Sequence, residues 1–220
     1  MKVQFLGHAC FLLDNGTTRI LIDPFLSGNP QAAVSAEAVD ADYILVTHGH
    51  GDHVGDTAAI ARRTNAVICC SVDLAEGLFD DPGLNVVTGN LGGWMNLPFG
   101  AVKFVSAIHG SGVPGALANG FVIELDGKRI YHSGDTALHA DMALLADENI
   151  DLALLPIGDV YTMGPADALR ATKMIQPKMV IPMHYNTFPA ITQDANAFAG
   201  KAAAAGFETA VLHPGEFAEL

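Results

Sequence analysis

The sequence predicts an α+β fold in which helices lie outside two packed β-sheets. Three observations point there. Short apolar, β-rich runs recur along the whole chain, separated by Gly, Pro, Asn and Asp turn signals. Helical stretches fall between several of them, giving strand–loop–helix units. The two halves also echo each other coarsely, each starting with hairpin strands and finishing with α/β units, without an exact repeat. At 220 residues, half of them apolar, the chain can build one substantial core. No Pro/Ser-rich linker or composition shift divides it, so a single domain over 1–220 is expected.

Lys2 to Leu6 and Cys10 to Leu13 read as strands. Asp14-Asn15-Gly16 is a turn, and Arg19 to Ile22 resumes the extended pattern until Asp23-Pro24 ends it. A loop through Gly28-Asn29-Pro30 leads to Ser35-Ala36-Glu37-Ala38, where a short helix is expected to start. Tyr43 to Thr47 is a compact buried strand that runs directly into His48-Gly49-His50-Gly51-Asp52-His53. Gly55 to Arg63 is helical in character, and Ala66 to Cys70 is extended. Val86-Val87 is a weak strand, and the glycines from Gly89 to Gly93 mark turns before Trp94.

Ala101 to Ala107 is a strand that stops before His109. Gly120 to Leu125 and Arg129 to His132 form a hairpin across Asp126-Gly127-Lys128. Ala140 to Ala146 is expected to be helical and Asp151 to Leu155 extended. Gly164-Pro165 opens a helix through Met174, with proline early in the first turn. Lys178 to Ile181 is a strand, and Thr192 is the expected N-cap of an Ala-rich helix to Ala205. Phe207 to Leu212 is a last strand, and Glu216 to Leu220 is a short tail. The whole amounts to roughly ten to twelve strands and four or five helices.

Lys and Arg number 11 against 24 Asp and Glu, a formal net charge of -13. A nucleic-acid surface needs a basic footprint, and only Arg62-Arg63 and Lys128-Arg129 are basic pairs, so nucleic acid is not the expected partner. The three cysteines, Cys10, Cys69 and Cys70, do not read as a disulfide framework, because adjacent residues of a strand point to opposite faces. The N-terminal residues lack a signal-peptide pattern, and no apolar run reaches membrane-spanning length. A cytoplasmic protein without membrane contact is the expectation, and a homo-oligomer stays open.

The chemistry concentrates in Thr47-His48-Gly49-His50-Gly51-Asp52-His53, where four metal-ligand side chains fall within six residues. A helix would place His48 and His50 on different faces, whereas a strand end or tight loop lets them converge. The two glycines let backbone pass close to an ion. His109, Asp135 and His184 each stand where a core strand gives way to a loop, the edge at which function collects in layered α/β proteins. Five histidines and two aspartates make seven ligands, a set suited to two divalent cations sharing one carboxylate. Imidazole and carboxylate donors suit zinc first, with manganese, nickel or iron as alternatives.

These residues resemble the metallo-β-lactamase superfamily, whose His-x-His-x-Asp-His signature stands intact as His48, His50, Asp52 and His53. The later ligands match His109, Asp135 in Ser133-Gly134-Asp135-Thr136, and His184 in Pro182-Met183-His184-Tyr185. The opening Phe5-Leu6-Gly7-His8-Ala9 is similar to a compact bacterial and archaeal branch of metal-dependent hydrolases, distantly related to ascorbate-phosphate lactonases. The resemblance implies a four-layer αββα sandwich. It also implies one metal on His48, His50 and His109, a second on Asp52, His53 and His184, and Asp135 between them. It makes three subfamilies poor matches. The oxygen-reducing di-iron branch carries Glu where this chain has His50. Common zinc β-lactamases carry Cys where it has Asp135. RNA-processing relatives often carry an extra substrate arm.

Two cations would supply hydroxide at neutral pH for attack on a small-molecule ester, lactone or phosphoester. Asp52 is the catalytic carboxylate expected to position it, and His8 is the candidate general acid. Tyr185 is a candidate hydrogen-bond donor to substrate. Asn119, Asn186 and Thr187 are candidates for orienting the imidazoles, and His132 for a supporting or core role. Gly110 to Leu117 is a candidate wall of the cleft. A nuclease or cyclic-nucleotide phosphodiesterase with the same chemistry predicts a local basic rim. A non-catalytic metal-binding protein predicts a sealed site.

Overall fold

The computed structural model describes residues 1–220. One sheet holds β1 (Lys2–Gly7), β2 (Cys10–Asp14), β3 (Arg19–Ile22), β4 (Tyr43–Leu45), β5 (Val67–Ser71), β6 (Asn85–Gly89) and, from the far end of the chain, β14 (Phe217–Glu219). Its order is β14-β1-β2-β3-β4-β5-β6. The second holds β7 (Trp94–Leu97), β8 (Gly100–Ser106), β9 (Asn119–Leu125), β10 (Lys128–His132), β11 (Leu152–Pro156), β12 (Met179–Met183) and β13 (Glu208–Thr209). Its order runs backwards, β13-β12-β11-β10-β9-β8-β7. Both sheets are mixed, with hairpins on one side and parallel crossovers on the other.

Strict alternation along the strands builds three apolar layers. Phe11, Leu13, Ile20 and Ile22 from the first sheet meet Ile130, Leu152, Leu154 and Ile181 from the second in a buried core between the sheets. The intervening residues face outwards. Cys10, Leu21 and Cys70 pack under α2 (Thr57–Thr64) and α3 (Val72–Leu78). Tyr131, Ala153, Leu155 and Val180 pack under α4 (Pro165–Ile175) and α5 (Ala195–Ala204). Helix, sheet, sheet, helix is the four-layer αββα sandwich that was expected. Strands buried on both faces explain why Leu152–Pro156 and Met179–Met183 read as unbroken apolar runs. Cys69 and Cys70 do split between two layers, and all three cysteines are buried and free.

Several expectations are corrected. Ser35–Ala38 is one turn, closed by the Ala38 N–H donating to the Ser35 carbonyl at 3.1 Å, and not a helix. Ala140–Glu148 is a 3₁₀ segment; its buried residues, Met142 and Leu145, stand three apart, the period of that helix. The last helix starts at Ala195, and its cap is Asp194, whose carboxylate accepts from the Ala197 N–H at 3.0 Å. Thr192 instead donates to the Pro189 carbonyl. Phe207 to Leu212 contributes only the two-residue β13. The supposed tail holds β14, which covers the open edge of β1 with Val3 opposite Ala218. Neither α3 nor β7 was anticipated. No helix is long and apolar enough to cross a membrane.

Strand direction positions the site. β1, β3 and β4 point the same way in one sheet, and β8, β10 and β12 in the other. His8, Asp23, His48, His109, Asp135 and His184 all lie just beyond the C-terminal ends of those six strands. Candidate ligands far apart in sequence therefore share one edge of the sandwich.

Candidate metal centre

The short segment after β4 carries His48 and His50 in extended or loop backbone, then folds into the single turn α1 (Gly51–Val54), which bears Asp52 and His53. Nδ1 of His50 lies 3.0 Å from Nε2 of His48 and 3.2 Å from Nε2 of His109. That trio forms one candidate cation cluster. Asp52, His53 and His184 meet in a second, which also includes His8. Asp135 joins His48 and His53 in a third. Its Oδ1 lies 3.2 Å from His53 Nε2, while its Oδ2 lies 3.1 Å from His184 Nε2 and 3.6 Å from His109 Nε2. One carboxylate thus faces donors of both remaining clusters. The structure brings together every ligand residue named from the sequence.

The donor set fits divalent cations. His53 Nε2, His184 Nε2 and Asp135 Oδ1 are buried without any hydrogen-bond partner. Leaving such atoms unpaired is costly in a protein interior. Imidazole nitrogens and carboxylate oxygens that crowd together without bonding each other are what an ion between them would satisfy. Burial is the largest influence on Asp135 and opposes its charge, yet His53 and His184 outweigh it and hold the carboxyl well below its ordinary range. Burial first, then the neighbouring His53, pushes the His48 pKa down to about 2, so its imidazole is a neutral donor.

Asp23 orients the imidazoles and escaped the sequence reading. Its fully buried carboxylate accepts from the Thr47 N–H at 2.9 Å, the Thr47 hydroxyl at 2.7 Å and His53 Nδ1–H at 2.7 Å. The Thr47 hydroxyl is thereby left to accept from His48 Nδ1–H at 3.0 Å. With each Nδ1 engaged in this way, Nε2 of His48 and of His53 is the atom turned to the cluster. The available signal was Asp23 itself, an acid ending an apolar strand as the ligands do. The adjacent proline made it look like a strand terminator.

His8 is fully buried, with its ring 3.9 Å from that of His184. Nδ1 lies 2.8 Å from the Thr187 hydroxyl and Nε2 3.2 Å from Asp52 Oδ2. A proton moving from His8 to a leaving group would therefore pass through Asp52. Of the other supporting candidates, Thr187 touches His8, whereas Asn119 donates to the Gly120 carbonyl and Asn186 accepts from the Gln193 N–H. Tyr185 packs against the outer core layer beneath α4 and α5. His132 is a buried structural residue held by the Ala9 carbonyl and the Gly134 N–H.

The Gly110 to Leu117 loop does wall the site. Ser111 O accepts from the Gly49 N–H, and a Cβ on Gly112, whose φ is +73°, would stand 2.8 Å from His50 Cδ2. His8, Asp23 and His184 adopt positive φ of 60°, 46° and 54°. Each such residue costs on the order of 1–3 kcal/mol, strain typical of functional sites. The centre is open on one side, for the Asp52 side chain is 30% exposed and His50 and His109 are half-buried.

Residues 2–184 match the β-lactamase superfamily domain family. A UPF0173 metal-dependent hydrolase of Thermus thermophilus is 49% identical over 224 residues, covering 100% of this chain and 99% of the relative. One from Archaeoglobus fulgidus is 46% identical over 231 residues, covering 100% and 99%. The solved structure of a metallo hydrolase from the archaeon Ignicoccus hospitalis superposes with a TM-score of 0.92 at 36% identity, covering 99% of this chain and 97% of that one. A two-sheet sandwich with clustered His/Asp donors on one edge defines the class. The chain belongs to the metallo-β-lactamase superfamily, in its UPF0173 branch.

Proposed function

We propose that this protein is a metal-dependent hydrolase that acts on a small ester, lactone or phosphoester. The observation that carries the proposal is the convergence of His48, His50, Asp52, His53, His109, Asp135 and His184 into linked clusters whose donor atoms lie within 4.8 Å of one another. The names of the UPF0173 relatives support it. When bound, two divalent cations, zinc foremost, would supply hydroxide at neutral pH and stabilise charge on the substrate oxygen. His48, His50 and His109 would hold one, Asp52, His53 and His184 the other, and Asp135 both.

The chain's own residues do the rest. Asp52 faces the open side and is held from behind by His8, so it can accept a hydrogen bond from the attacking water and orient it. Thr187 and His8 keep that carboxylate in place. Asp23 and Thr47 keep the imidazoles of His48 and His53 turned inwards. The exposure of Asp52 speaks against a sealed, purely structural site. A distant relation to ascorbate-phosphate lactonases, which the opening Phe5-Leu6-Gly7-His8-Ala9 suggests, would be one source of a lactone substrate and is part of this proposal only.

The test is metal content followed by turnover. Protein purified without added metal is expected to carry divalent cations by elemental analysis and to hydrolyse members of an ester, lactone and phosphodiester panel. The double variant His48→Ala/His50→Ala should lose both. Absence of metal, or hydrolysis that survives the double substitution, would end the proposal.

A further inference from the structure

The basic side chains are distributed unevenly over the sandwich. Lys2, Arg19, Lys128 and Arg129 stand at the starts of β1, β3 and β10, and Lys178 just before β12. Arg62, Arg63, Lys173 and Lys201 lie in the last turns of α2, α4 and α5, which lead back to the starts of parallel strands. All of these lie towards the end opposite the metal centre. Lys103 is mid-strand and Arg170 mid-helix, paired with Glu148 and Asp167. None of the loops that carry the candidate ligands contains a lysine or arginine. Bound cations attract any oxyanion, so discrimination against phosphates falls to the surroundings. Those surroundings offer no fixed cation for the non-reacting phosphate oxygens.

They offer apolar side chains instead. Ile108, next to His109, is exposed, and its backbone is tied to Thr136 and Ala137 beside Asp135. Phe188 is also partly exposed, and with Phe25 it flanks the His8 ring, at 5.6 and 5.7 Å. The loop after β11 adds Val160 and Tyr161, 68% and 59% exposed. Its backbone is unusual, because Asp159 and Val160 have φ of +64° and +50° in succession, and a β-branched residue there is strained. The loop is braced by Met163 N–H donating to the Thr136 carbonyl and by Gln193 donating to the Gly158 carbonyl. Gly158 fits so closely on the ligand His184 that a Cβ would stand 2.3 Å from its carbonyl oxygen. A strained, braced loop that holds a valine and a tyrosine out to water beside a reactive centre has the character of a binding surface.

We propose that the substrate is an electrically neutral ester or lactone whose apolar acyl group is seated on Ile108, Val160, Tyr161 and Phe188. This rests on the hydrolase reading above and narrows it. In the reaction, water oxygen bonds to the carbonyl carbon and the acyl C–O bond breaks. One water proton ends on the departing alcohol oxygen, and the acid is released. The carboxylate product then leaves past Asp52, with no lysine or arginine in the surrounding ligand loops to hold it.

The test uses zinc-reconstituted full-length protein, with zinc content measured first. Acetohydroxamic acid and hexanohydroxamic acid are neutral in solution, share one head that binds zinc as the hydroxamate, and differ only in chain length. Diethyl phosphate supplies the anion. By calorimetric titration, hexanohydroxamic acid is expected to bind about tenfold more tightly than acetohydroxamic acid, as burial of part of the longer chain requires. It should also outbind diethyl phosphate. Tyr161→Ala and Phe188→Ala should shrink the chain-length advantage to about twofold or less while acetohydroxamic acid binds as before. Tyr161→Phe should keep the advantage. Equal affinity for the two hydroxamic acids, preference for diethyl phosphate, or an equal loss for both hydroxamic acids in Tyr161→Ala would overturn the proposal. Protein that takes up no zinc defeats the hydrolase reading and this one together. Zinc-loaded protein without a chain-length preference defeats only this one.

Discussion

Asp23 shows how much of a metal centre lies behind its ligands. Three donors, the Thr47 N–H, the Thr47 hydroxyl and His53 Nδ1–H, are spent on one carboxylate. Asp23→Asn would keep the volume and lose the charge, and its amide could offer an N–H where His53 also donates. Such supporting groups are typically worth about 10–100-fold in metal affinity. Asp23→Asn should accordingly lose zinc about tenfold or more readily in competition with a chromophoric chelator. Unchanged zinc affinity would show that His53 needs no orienting partner. His48, His50, Asp52 and His53 were legible as ligands because they sit together. Asp23 was not, because its role depends on His53, thirty residues away.

Elements are tied together at the end remote from the site by Asp151, which precedes β11. Its carboxylate accepts from the Arg129 N–H at 2.8 Å and from Lys178 Nζ at 2.8 Å, linking the starts of β10 and β12. Burial would raise its pKa, but the Lys178 bond and the Arg129 N–H outweigh burial and hold it below the ordinary value. A carboxyl with a depressed folded pKa stabilises the fold above its unfolded pKa. That contribution is lost as pH falls through the folded value. Asp151→Asn should then destabilise the protein at pH 7 by about 1 kcal/mol, discounted because Lys178 is exposed. The gap should begin to narrow below about pH 4, near the unfolded carboxyl pKa, and close only as pH falls through the lower folded value. Urea midpoints followed from pH 7 down to about pH 2 check this, and a gap that never narrows would refute the ionic role. The core strands were legible from their apolar runs. β14 was not, because three residues carry no pattern until β1 is there to pair with them.

Across the molecule, the two sheets share a core at their centre and the candidate donors at their edge. His48, His50, Asp52 and His53 come from the first sheet, and His109, Asp135 and His184 from the second. Cations held between them would bind the folded state and not the unfolded chain. A thousandfold excess over Kd contributes about 4 kcal/mol. At about 2–4 °C per kcal/mol for a domain of this size, chelation should lower Tm by about 8–16 °C. Scanning calorimetry before and after dialysis against a chelator measures it, with recovery expected on adding zinc. A Tm indifferent to chelation would mean that the sheets are not joined through metal.

Local pattern was enough for the core strands, the His48 to His53 cluster and helices outside two packed sheets, while the four-layer αββα order came from the family resemblance. Apolar alternation and ligand spacing are written in neighbouring residues. Where the six strand ends meet was settled only by folding, because parallel register between distant segments sets it. The same holds for the Asp23 network, the positive-φ backbone at His8 and His184, and the segregation of basic side chains away from the centre. Each is a relation between residues far apart in the chain, and it exists only once the two sheets have packed face to face.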